Sequence, residues 1–410
     1  MRVLHLAHAS PLLGDRGGTE LYADALVRAQ GSTLLVPDLR PDAPQGLRQL
    51  DDHVWAVGMA PPTDFRHTWA RPELAAALRQ LSADLLHVHH LAHGDLQLPA
   101  TCGVPSVITL HDYHLVCARG QLVDAQLQPC PGPELERCAR CMGPHLRLRP
   151  GLSALSALSR RLGLHERARS QAARLPVDAA MKERMKARLQ AGRAALESAR
   201  IRLSPSRDLA RRVTSLTGLP VEVIGLPLVA PVHPAPDPGQ GPLRVLYLGA
   251  LLPTKGVHLL RQAMEGLDAT LEVWGPAPVH DADPEYGQRE IQALGPAYRG
   301  VFDAARRQEI LDRHDLLVVP STWEENSPLV VREALAAGLR VLASDRGGIH
   351  EIDPRIQGFP AGELPALREA LRREVRTGRG RWTPRDFGMD AHLEALQAHY
   401  QRALSGPAVE

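Results

Sequence analysis

The segment LLVVPSTWEENSPLVVREALAAG, residues 316–338, is the most informative part of this sequence. Its first half is a continuous apolar run ending at Ser321, which is typical of a strand buried on both faces of a parallel sheet. In its second half, Ser327 is a candidate N-cap, Pro328 suits the first helical position and Gly338 suits the helix stop. The segment therefore predicts a strand, a loop and a helix whose amino end lies at the carboxyl edge of the sheet.

The same alternation of short apolar runs and helical patterns recurs along most of the chain. Runs such as RVLHLAHA and SVITLHD form a first series that ends near Asp112, and a second series starts near Gly241. A length of 410 residues also exceeds what one core usually serves. We therefore expect two α/β domains. Because parallel sheets bind ligands at the carboxyl ends of their strands, two facing sheets would share one cleft.

The composition excludes several classes of protein. With 44% hydrophobic and 23% charged residues and a net charge of +2, the chain is neither disordered nor collagen-like, and nucleic-acid binding is not expected. No apolar run approaches the ~18 residues of a membrane span. The first fourteen residues, MRVLHLAHASPLLG, lack the features of a signal peptide. We therefore expect a cytoplasmic protein with reduced cysteines.

The small net charge conceals a strongly basic segment. Residues 147–202 carry fourteen basic and four acidic side chains, a net charge of +10, so the remainder carries +2 − 10 = −8. Solvated helices are the simpler interpretation of this segment. The alternative is a surface for an anionic substrate or for peripheral contact with an anionic membrane on the cytoplasmic face.

Two glutamates and a helix amino end make the segment a candidate ligand site. The first N–H groups of the predicted helix, those of Leu329 and Val330, are suited to a diphosphate. Glu325 and Glu333 are eight residues apart, and a carboxylate accepts two hydrogen bonds from vicinal hydroxyls of a ribose or hexose. The structural alternative is that Glu325 complements the helix dipole and Glu333 is a solvated helix residue.

Two glycine-containing loops repeat this strand-to-helix arrangement. Residues 249–256, GALLPTKG, contain Lys255, one of three lysines in a chain that otherwise uses arginine. An ammonium group at a strand end beside a helix amino terminus is a natural partner of phosphate oxygens. Gly17 and Gly18 precede another predicted helix, with Thr19 as its expected N-cap, and would let a ligand approach the backbone.

These motifs together resemble the retaining, nucleotide-sugar-dependent glycosyltransferases of the GT-B fold, family 4. That resemblance implies an α/β protein of two facing Rossmann-like domains with an interdomain cleft and a C-terminal helix crossing back to the first domain. It places an acceptor-side domain at residues 1–204, a donor-binding domain at 205–384 and the returning helix at 385–410. The motifs are Gly17-Gly18, residues 109–112, 204–206 and 249–256, Pro320-Ser321, Glu325-x7-Glu333, residues 336–338, Gly347-Gly348 with Glu351, and a terminal helix ending at Tyr400.

The resemblance also implies roles for individual residues. Glu333 would bind the ribose, Glu325 the donor hexose and Lys255 the diphosphate, and His111 would face the donor sugar. The catalytic set is then Glu325, Lys255 and His111. The full donor-binding set is Gly17, Gly18, Lys255, Glu325, Asn326, Ser327, Leu329, Val330 and Glu333. An arginine often follows the first glycine of the lysine loop in this family, and here that position is Ala250.

The implied reaction is transfer of a hexose from a nucleotide diphosphate sugar to a sugar or lipid-linked acceptor, in polysaccharide or glycoconjugate biosynthesis. No catalytic metal is expected: Asp281-Ala-Asp283 spells a D-x-D but lies in a proline-rich stretch typical of a turn. The alternatives are a sugar-nucleotide-binding protein that has lost transfer, which Ala250 keeps open, and a nucleotide-sugar epimerase or hydrolase of the same fold.

Cysteines and histidines form two further clusters. Cys117, Cys130, Cys138 and Cys141, at residues 117–141, have a loop-rich spacing that fits a tetrahedral structural zinc, with free thiols or an iron–sulfur cluster as alternatives. His87, His89, His90 and His93 lie at a predicted strand end. Since alternate strand residues face opposite sides, we expect packing and cleft-edge roles for them rather than one shared metal.

Overall fold

A computed structural model describes most of the chain in two units. The described residues are 1–15, 17–60, 71–92, 94–142, 177, 179–280 and 283–406, with the main chain alone at 143–146. The first unit comprises residues 1–203, 212–221 and 400–410, and the second comprises 204–211 and 222–399. His93, Asp281 and residues 147–176 and 178 of the basic segment lie outside the described residues.

The first unit is built on a mainly parallel sheet. Its strands pair in the order β3-β4-β2-β1-β5-β6-β7, and β3 alone among them runs antiparallel to its neighbour. The strands are β1 (Val3–Leu6), β2 (Thr33–Asp38), β3 (Gly46–Gln49), β4 (Val54–Gly58), β5 (Leu85–Val88), β6 (Ser106–Thr109) and β7 (Ile201–Ser204). The helices up to β7 are α1 (Gly18–Gln30), α2 (Pro72–Leu81), α3 (Leu98–Thr101), α4 (Leu135–Leu146) and α5 (Ala179–Ser198).

The second unit contains a fully parallel six-stranded sheet with the order β11-β10-β9-β12-β13-β14. After α6 (Arg207–Thr217) and the two-residue β8 (Glu222–Val223), its strands are β9 (Leu243–Leu248), β10 (Ala269–Trp274), β11 (Tyr298–Gly300), β12 (Leu316–Val319), β13 (Arg340–Ser344) and β14 (Gln357–Phe359). The helices are α7 (Val257–Met264), α8 (Tyr286–Leu294), α9 (Arg307–Asp312), α10 (Leu329–Ala336), α11 (Leu364–Thr377) and α12 (Met389–Ser405).

Burial on both faces explains the continuous apolar strands. In β12, Leu316 and Val318 belong to one buried cluster, whereas Leu317 belongs to the cluster on the opposite face. Helices cover each face, so every residue of β12 is buried and no polar alternation is needed. The predicted α/β architecture, occurring twice, is confirmed.

The last helix, α12, starts in the second unit and ends in the first. The sequence from Asp386 to Leu404 predicts one amphipathic helix in which Phe387, Leu393, Leu396, Tyr400 and Leu404 are available for packing. The helix begins three residues later, and Phe387 lies before it, where its carbonyl oxygen accepts a hydrogen bond from the N–H of Leu228. Leu396 and Tyr400 are buried as predicted, while Leu404 is 39% exposed. Among the helices that the structure describes, none has the length and apolar character needed to cross a membrane.

Candidate functional site

Glu325, in the loop after β12, is the centre of a buried polar cluster. One carboxylate oxygen, Oε1, accepts hydrogen bonds from Lys255 Nζ at 2.5 Å, Ser321 Oγ at 2.6 Å and Trp323 Nε1 at 2.9 Å. Burial acts to raise the pKa of Glu325, but the Lys255 charge and these three hydrogen bonds outweigh it, so the pKa lies below its ordinary value. Glu325 is therefore an ionised group held in one orientation.

The loop that carries Lys255 is fixed to the loop after β12 by close backbone contacts. Gly256 has a φ of 71°, and a Cβ there would lie 1.9 Å from the carbonyl oxygen of Pro320. The N–H of Thr322 also donates to the carbonyl oxygen of Thr254 at 2.8 Å. Only glycine fits this approach at position 256. The backbone thus sets the distance between Lys255 and Glu325 before the side chains meet.

The glycine pair after β13 has a packing role on the other side of Glu325. The N–H of Gly348 donates to the carbonyl oxygen of Glu325 at 2.6 Å. A Cβ at Gly347, whose φ is 72°, would lie 2.0 Å from that same oxygen, and one at Gly348 would lie 2.4 Å from the Asn326 oxygen. The Glu325 loop is therefore held between two glycine-containing loops.

Glu351, which follows this glycine pair, caps helix α6. Its carboxylate accepts the N–H of Arg207 at 2.6 Å and that of Asp208 at 2.8 Å. These are N–H groups of the first helical turn, which have no partner within the helix. The Gly347-Gly348 and Glu351 part of the sequence motif thus has a structural explanation in this chain.

Helix α10 starts one residue later than expected. Pro328 has an extended ψ of 128° and is the N-cap, so Leu329 is the first helical residue. Ser327 does not cap the helix, because its Oγ accepts a hydrogen bond from Arg332 Nη1 at 2.6 Å. The stop at Gly338, with a φ of 81°, is confirmed. The N–H groups of Leu329 and Val330 still form the first turn, as the anion site requires.

Glu333 is buried inside helix α10 and is 4% exposed, so its interpretation as a solvated helix residue is wrong. Its Oε1 lies 3.0 Å from Nε of Arg307, the first residue of α9. Burial raises the pKa of Glu333 above its ordinary value, and the Arg307 charge only partly opposes this. The sequence did not identify Arg307, which is separated from Glu333 along the chain by strand β12 and the loops on either side of it.

The position that departs from the family pattern has a structural role through its backbone. The carbonyl oxygen of Ala250 accepts a hydrogen bond from the hydroxyl of Tyr247 at 2.9 Å. Gly275 packs beside this loop, since a Cβ there would lie 2.0 Å from the carbonyl oxygen of Gly249. The loop is ordered by these contacts and does not depend on the side chain at position 250.

In the first unit, helix α1 begins directly at the glycine pair. Gly17 is the N-cap and Gly18 the first helical residue, so the expectation that Thr19 caps the helix is wrong. Glu20 lies against the glycine pair, since a Cβ on Gly17 would lie 2.3 Å from its side-chain oxygen Oε2. Its other oxygen lies 2.9 Å from Nε2 of His8. Burial acts to raise the pKa of Glu20, and His8 lowers it further than burial raises it.

His111 lies just after β6 beside a small pocket at the carboxyl ends of β5 and β6. Its Nε2 is 3.5 Å from Nδ1 of His89, and burial lowers its pKa to about 4. The neighbouring Asp112 accepts a hydrogen bond from Nε2 of His90 at 3.0 Å. His111 is therefore a neutral ring at pH 7, next to the hydrogen-bonded pair of His90 and Asp112.

Two histidines at the end of β5 have the expected packing role, since His87 and His89 are buried. His87 and His89 are two residues apart and so share a face, where His5 of β1 joins them. In the described part of the chain, these three form the group of potential metal ligands whose nitrogens lie within 4.8 Å of one another. The sequence did not predict that His5 lies beside these histidines, because that depends on the pairing of β1 with β5.

The four clustered cysteines are neighbours, with all thiols free. Burial raises the pKa of Cys138, and Cys117 and Cys130 raise it further; burial also raises the pKa of Cys141 to about 12. Within the residues described, no three of these sulfurs come within 4.8 Å of one another.

The second aspartate of the D-x-D stretch, Asp283, forms an ion pair with Arg289 of the helix that follows it, α8. Asp283 Oδ1 accepts a hydrogen bond from Arg289 Nη1 at 3.0 Å. This contact is the ordinary surface pairing that a turn before helix α8 would make.

Comparisons with known proteins bear on both units. Residues 242–375 match the family described as glycosyl transferases group 1. A glycogen synthase of Mycobacterium tuberculosis is 29% identical over 187 residues, which are 41% of this chain and 45% of that protein. This chain therefore spans less than half the length of that relative.

Two solved structures share the fold over nearly the whole chain. Sucrose-phosphate synthase from Thermosynechococcus elongatus has a TM-score of 0.63 at 18% identity and covers 98% of this chain and 99% of its own. Anabaena HepE in complex with UDP and glucose has a TM-score of 0.59 at 14% identity, with coverage of 98% and 99%. The chain therefore has the GT-B fold of these structures, and its residues 242–375 match the glycosyl transferases group 1 family.

Proposed function

We propose that this protein is a retaining glycosyltransferase that transfers a hexose from a nucleotide diphosphate sugar to a sugar or lipid-linked acceptor. The supporting observation is the Lys255–Glu325 pair, held on two backbone-locked loops within the glycosyl transferases group 1 domain. Polysaccharide or glycoconjugate biosynthesis is the proposed setting. UDP is the first donor nucleotide to test, since HepE has the same fold and was solved with UDP and glucose.

The donor would be bound mainly by residues of the second unit. Lys255 would contact the diphosphate, and the N–H groups of Leu329 and Val330 would add to its anion site. Glu325 would accept hydroxyls of the hexose, for which its fixed, ionised carboxylate is suited. Glu333 would bind the ribose. Asn326 and Ser327, between the two glutamates, complete the proposed donor-binding set.

The chemistry requires stabilisation of a leaving group more than a protein base. The bond between the sugar C1 and the diphosphate oxygen breaks, and a new bond forms from the acceptor oxygen to C1 on the same face. Negative charge grows on the leaving phosphate, where Lys255 and the α10 N–H groups would stabilise it. The acceptor proton passes to the phosphate oxygen. No catalytic metal is needed for these steps.

Residues of the first unit would contribute the remaining contacts. We propose that His111 contacts the donor sugar and that Gly17 and Gly18 lie near the diphosphate and the acceptor. In this proposal residues 1–204 serve the acceptor side, residues 205–384 bind the donor, and the helix in residues 385–410 returns to the first domain.

A structural zinc in the first unit is a separate proposal. Cys117, Cys130, Cys138 and Cys141 would supply four sulfur ligands, and the effect of Cys117 and Cys130 on the pKa of Cys138 supports their proximity. Binding would have to draw the sulfurs together, since no three of them come within 4.8 Å of one another among the described residues. Metal analysis of the purified protein should give one zinc per chain, lost in a Cys138→Ser variant but retained in Cys102→Ser. A metal-free wild-type protein would remove the proposal.

We further propose a cytoplasmic location with peripheral membrane contact through the basic segment, residues 147–202. In its described part, helix α5 carries Lys182, whose ammonium is 3.5 Å from Glu136 on α4. Cosedimentation with vesicles containing phosphatidylglycerol, but not with phosphatidylcholine vesicles, should follow at low salt. Equal binding to both kinds of vesicle contradicts this proposal.

The enzyme proposal is tested with a panel of nucleotide sugars and cell-derived acceptors. Release of the nucleoside diphosphate should depend on acceptor, and Lys255→Met and Glu325→Gln should each lower kcat by at least ~100-fold. Lys182→Met is the matched control, because it removes a lysine with no proposed donor contact. Tight nucleotide binding without turnover would instead identify a protein that has lost transfer, and release of an altered free sugar would identify an epimerase or hydrolase.

A further inference from the structure

A row of buried side chains in the first unit leads to the proposed sugar-contacting histidine. His5 lies on β1, and His89 and His111 lie just after the neighbouring strands β5 and β6. His5 Nδ1 is 2.9 Å from His89 Nε2, and His89 Nδ1 is 3.5 Å from His111 Nε2. At the other end, His5 Nε2 is 2.8 Å from Oε1 of Gln30. These four side chains form one continuous hydrogen-bond chain.

The hydrogens in this chain can be counted from its Gln30 end. A neutral imidazole has one N–H and one lone pair, so each ring donates on one side and accepts on the other. Gln30 directs its carbonyl oxygen toward His5, and that oxygen also accepts the hydroxyl of Ser32 at 3.3 Å. His5 must therefore carry its proton on Nε2, and its Nδ1 accepts from His89. His89 in turn donates through Nε2 and accepts through Nδ1 from His111.

The rings of the chain are neutral and held in place. Burial lowers the pKa values of both His5 and His111 to about 4, so neither ring carries a second proton at neutral pH. Tyr22, which is fully buried, lies edge-on to His89 with ring centres 5.5 Å apart and 5.2 Å from the centre of His111. Its ring limits reorientation of both histidines.

A metal ion shared by His5, His87 and His89 is the competing interpretation of this region. His87 already binds through both nitrogens, with Nδ1 2.7 Å from the Tyr400 hydroxyl and Nε2 2.8 Å from Thr109 Oγ1. His5 is likewise engaged on both sides. A metal ion would replace several of these hydrogen bonds in a fully buried position. The hydrogen-bonded arrangement therefore accounts for more of the observed contacts.

We propose that Gln30, His5 and His89 are positioning residues that fix the ring of His111, the proposed sugar-contacting histidine, in its Nε2–H tautomer. The sugar contact rests on the proposed function, whereas the tautomers do not. The last hydrogen bond of the row, between His89 and His111, is its longest at 3.5 Å. Changes at Gln30 should therefore reach His111 through the intervening rings.

The tautomers can be measured directly by long-range ¹H–¹⁵N NMR of the ¹⁵N-histidine-labelled full chain at pH 7.5. Single His→Gln variants at positions 5, 89 and 111 assign the three signals. We expect the Nε2–H pattern for each of them. An Nδ1–H pattern for His89 or His111 overturns the proposal, as does zinc that is bound by the wild-type protein and lost in His5→Gln but not in Cys138→Ser.

A Gln30→Met variant tests whether the hydrogen-bonded row of Gln30, His5 and His89 determines the tautomer of His111. It removes the acceptor for His5, so the His111 signal should move toward a mixture of tautomers and kcat should fall about tenfold with little change in KM for the donor. His53→Gln is the matched control: His53 is a partly buried histidine of the same unit that bonds the Ser32 carbonyl oxygen outside the chain. An unchanged His111 signal in Gln30→Met overturns the proposal, even if no glycosyl transfer is detected.

Discussion

Removing Lys255 should destabilise the second unit because it leaves Glu325 charged and buried. The Lys255 side chain is 27% exposed and that of Glu325 is 6% exposed. Breaking a fully buried pair costs about 3–5 kcal/mol. Since Lys255 is over a quarter exposed and Ser321 and Trp323 still donate to Glu325, we expect a smaller cost of about 2 kcal/mol for Lys255→Met.

A double-mutant cycle separates this effect from the loss of lysine packing. The four proteins are the wild type, Lys255→Met, Glu325→Gln and the double variant, unfolded by denaturant and followed by tryptophan fluorescence, which includes Trp323. Once the carboxylate is neutral, removing the lysine should cost less than ~1 kcal/mol. The coupling free energy between the two positions should therefore be about 1–2 kcal/mol.

An exposed pair gives the matched control for this cycle. Arg193 and Glu197 on α5 lie 2.7 Å apart but are 53% and 48% exposed, so their coupling should not exceed about 0.5 kcal/mol. If the costs of Lys255→Met and Glu325→Gln add to within about 0.5 kcal/mol, the two groups are not coupled. That result refutes the inference that Lys255 keeps the Glu325 carboxylate ionised.

Three further predictions concern stability. Gly348→Ala should cost more than ~2 kcal/mol, because its Cβ would lie 2.3 Å from Ser206 Cβ, while alanine at Gly380, where nothing lies within 4 Å, should be neutral in the same denaturant assay. Glu351→Ala should cost about 1 kcal/mol by uncapping α6, and amide exchange in the first turn of that helix should speed up; unchanged exchange there contradicts the assigned cap. The folded pKa of His5, about 4, lies below its unfolded value of 6.5, so the unfolded chain binds the extra proton and stability is lost as the pH falls from 6.5 toward 4. His5→Gln should therefore remove about 2 kcal/mol of the loss between pH 7 and 5, read from amide exchange in β1, and an unaltered pH slope argues against a buried neutral His5.

Local pattern was sufficient for several strands, helix ends and loops of the candidate site. The apolar run of β12, Gly338 and the loop around Lys255 each carry their signal within a few residues, because strand burial, helix stops and tight turns depend on local backbone preferences. The cap of α10 was misjudged by one residue, since Arg332 competes for Ser327. No local sequence pattern predicts that the buried Arg332 side chain turns toward Ser327.

Contacts across the sheets could not be read from the sequence. Arg307 reaches Glu333, and His5 reaches His89, only because the strand order brings distant segments together. The buried state of Glu333 also depends on packing within the second unit, where every residue of α10 except the half-buried Val330 is buried. A solvated helix residue was the structural alternative to the predicted ribose contact at Glu333, and its burial, which also raises its pKa, excludes that alternative.

The contact between Tyr400 and His87 links the first unit to residues that are synthesised much later. The two residues are 313 positions apart, and Tyr400 is 1% exposed in the first unit with its hydroxyl bonded to the histidine. A nascent chain on the ribosome must make the entire second unit before this position can be filled. Until then the buried histidines of the first unit lack the packing and the hydrogen bond that Tyr400 provides. The unit that is translated first should therefore be the last to become fully protected against proteolysis.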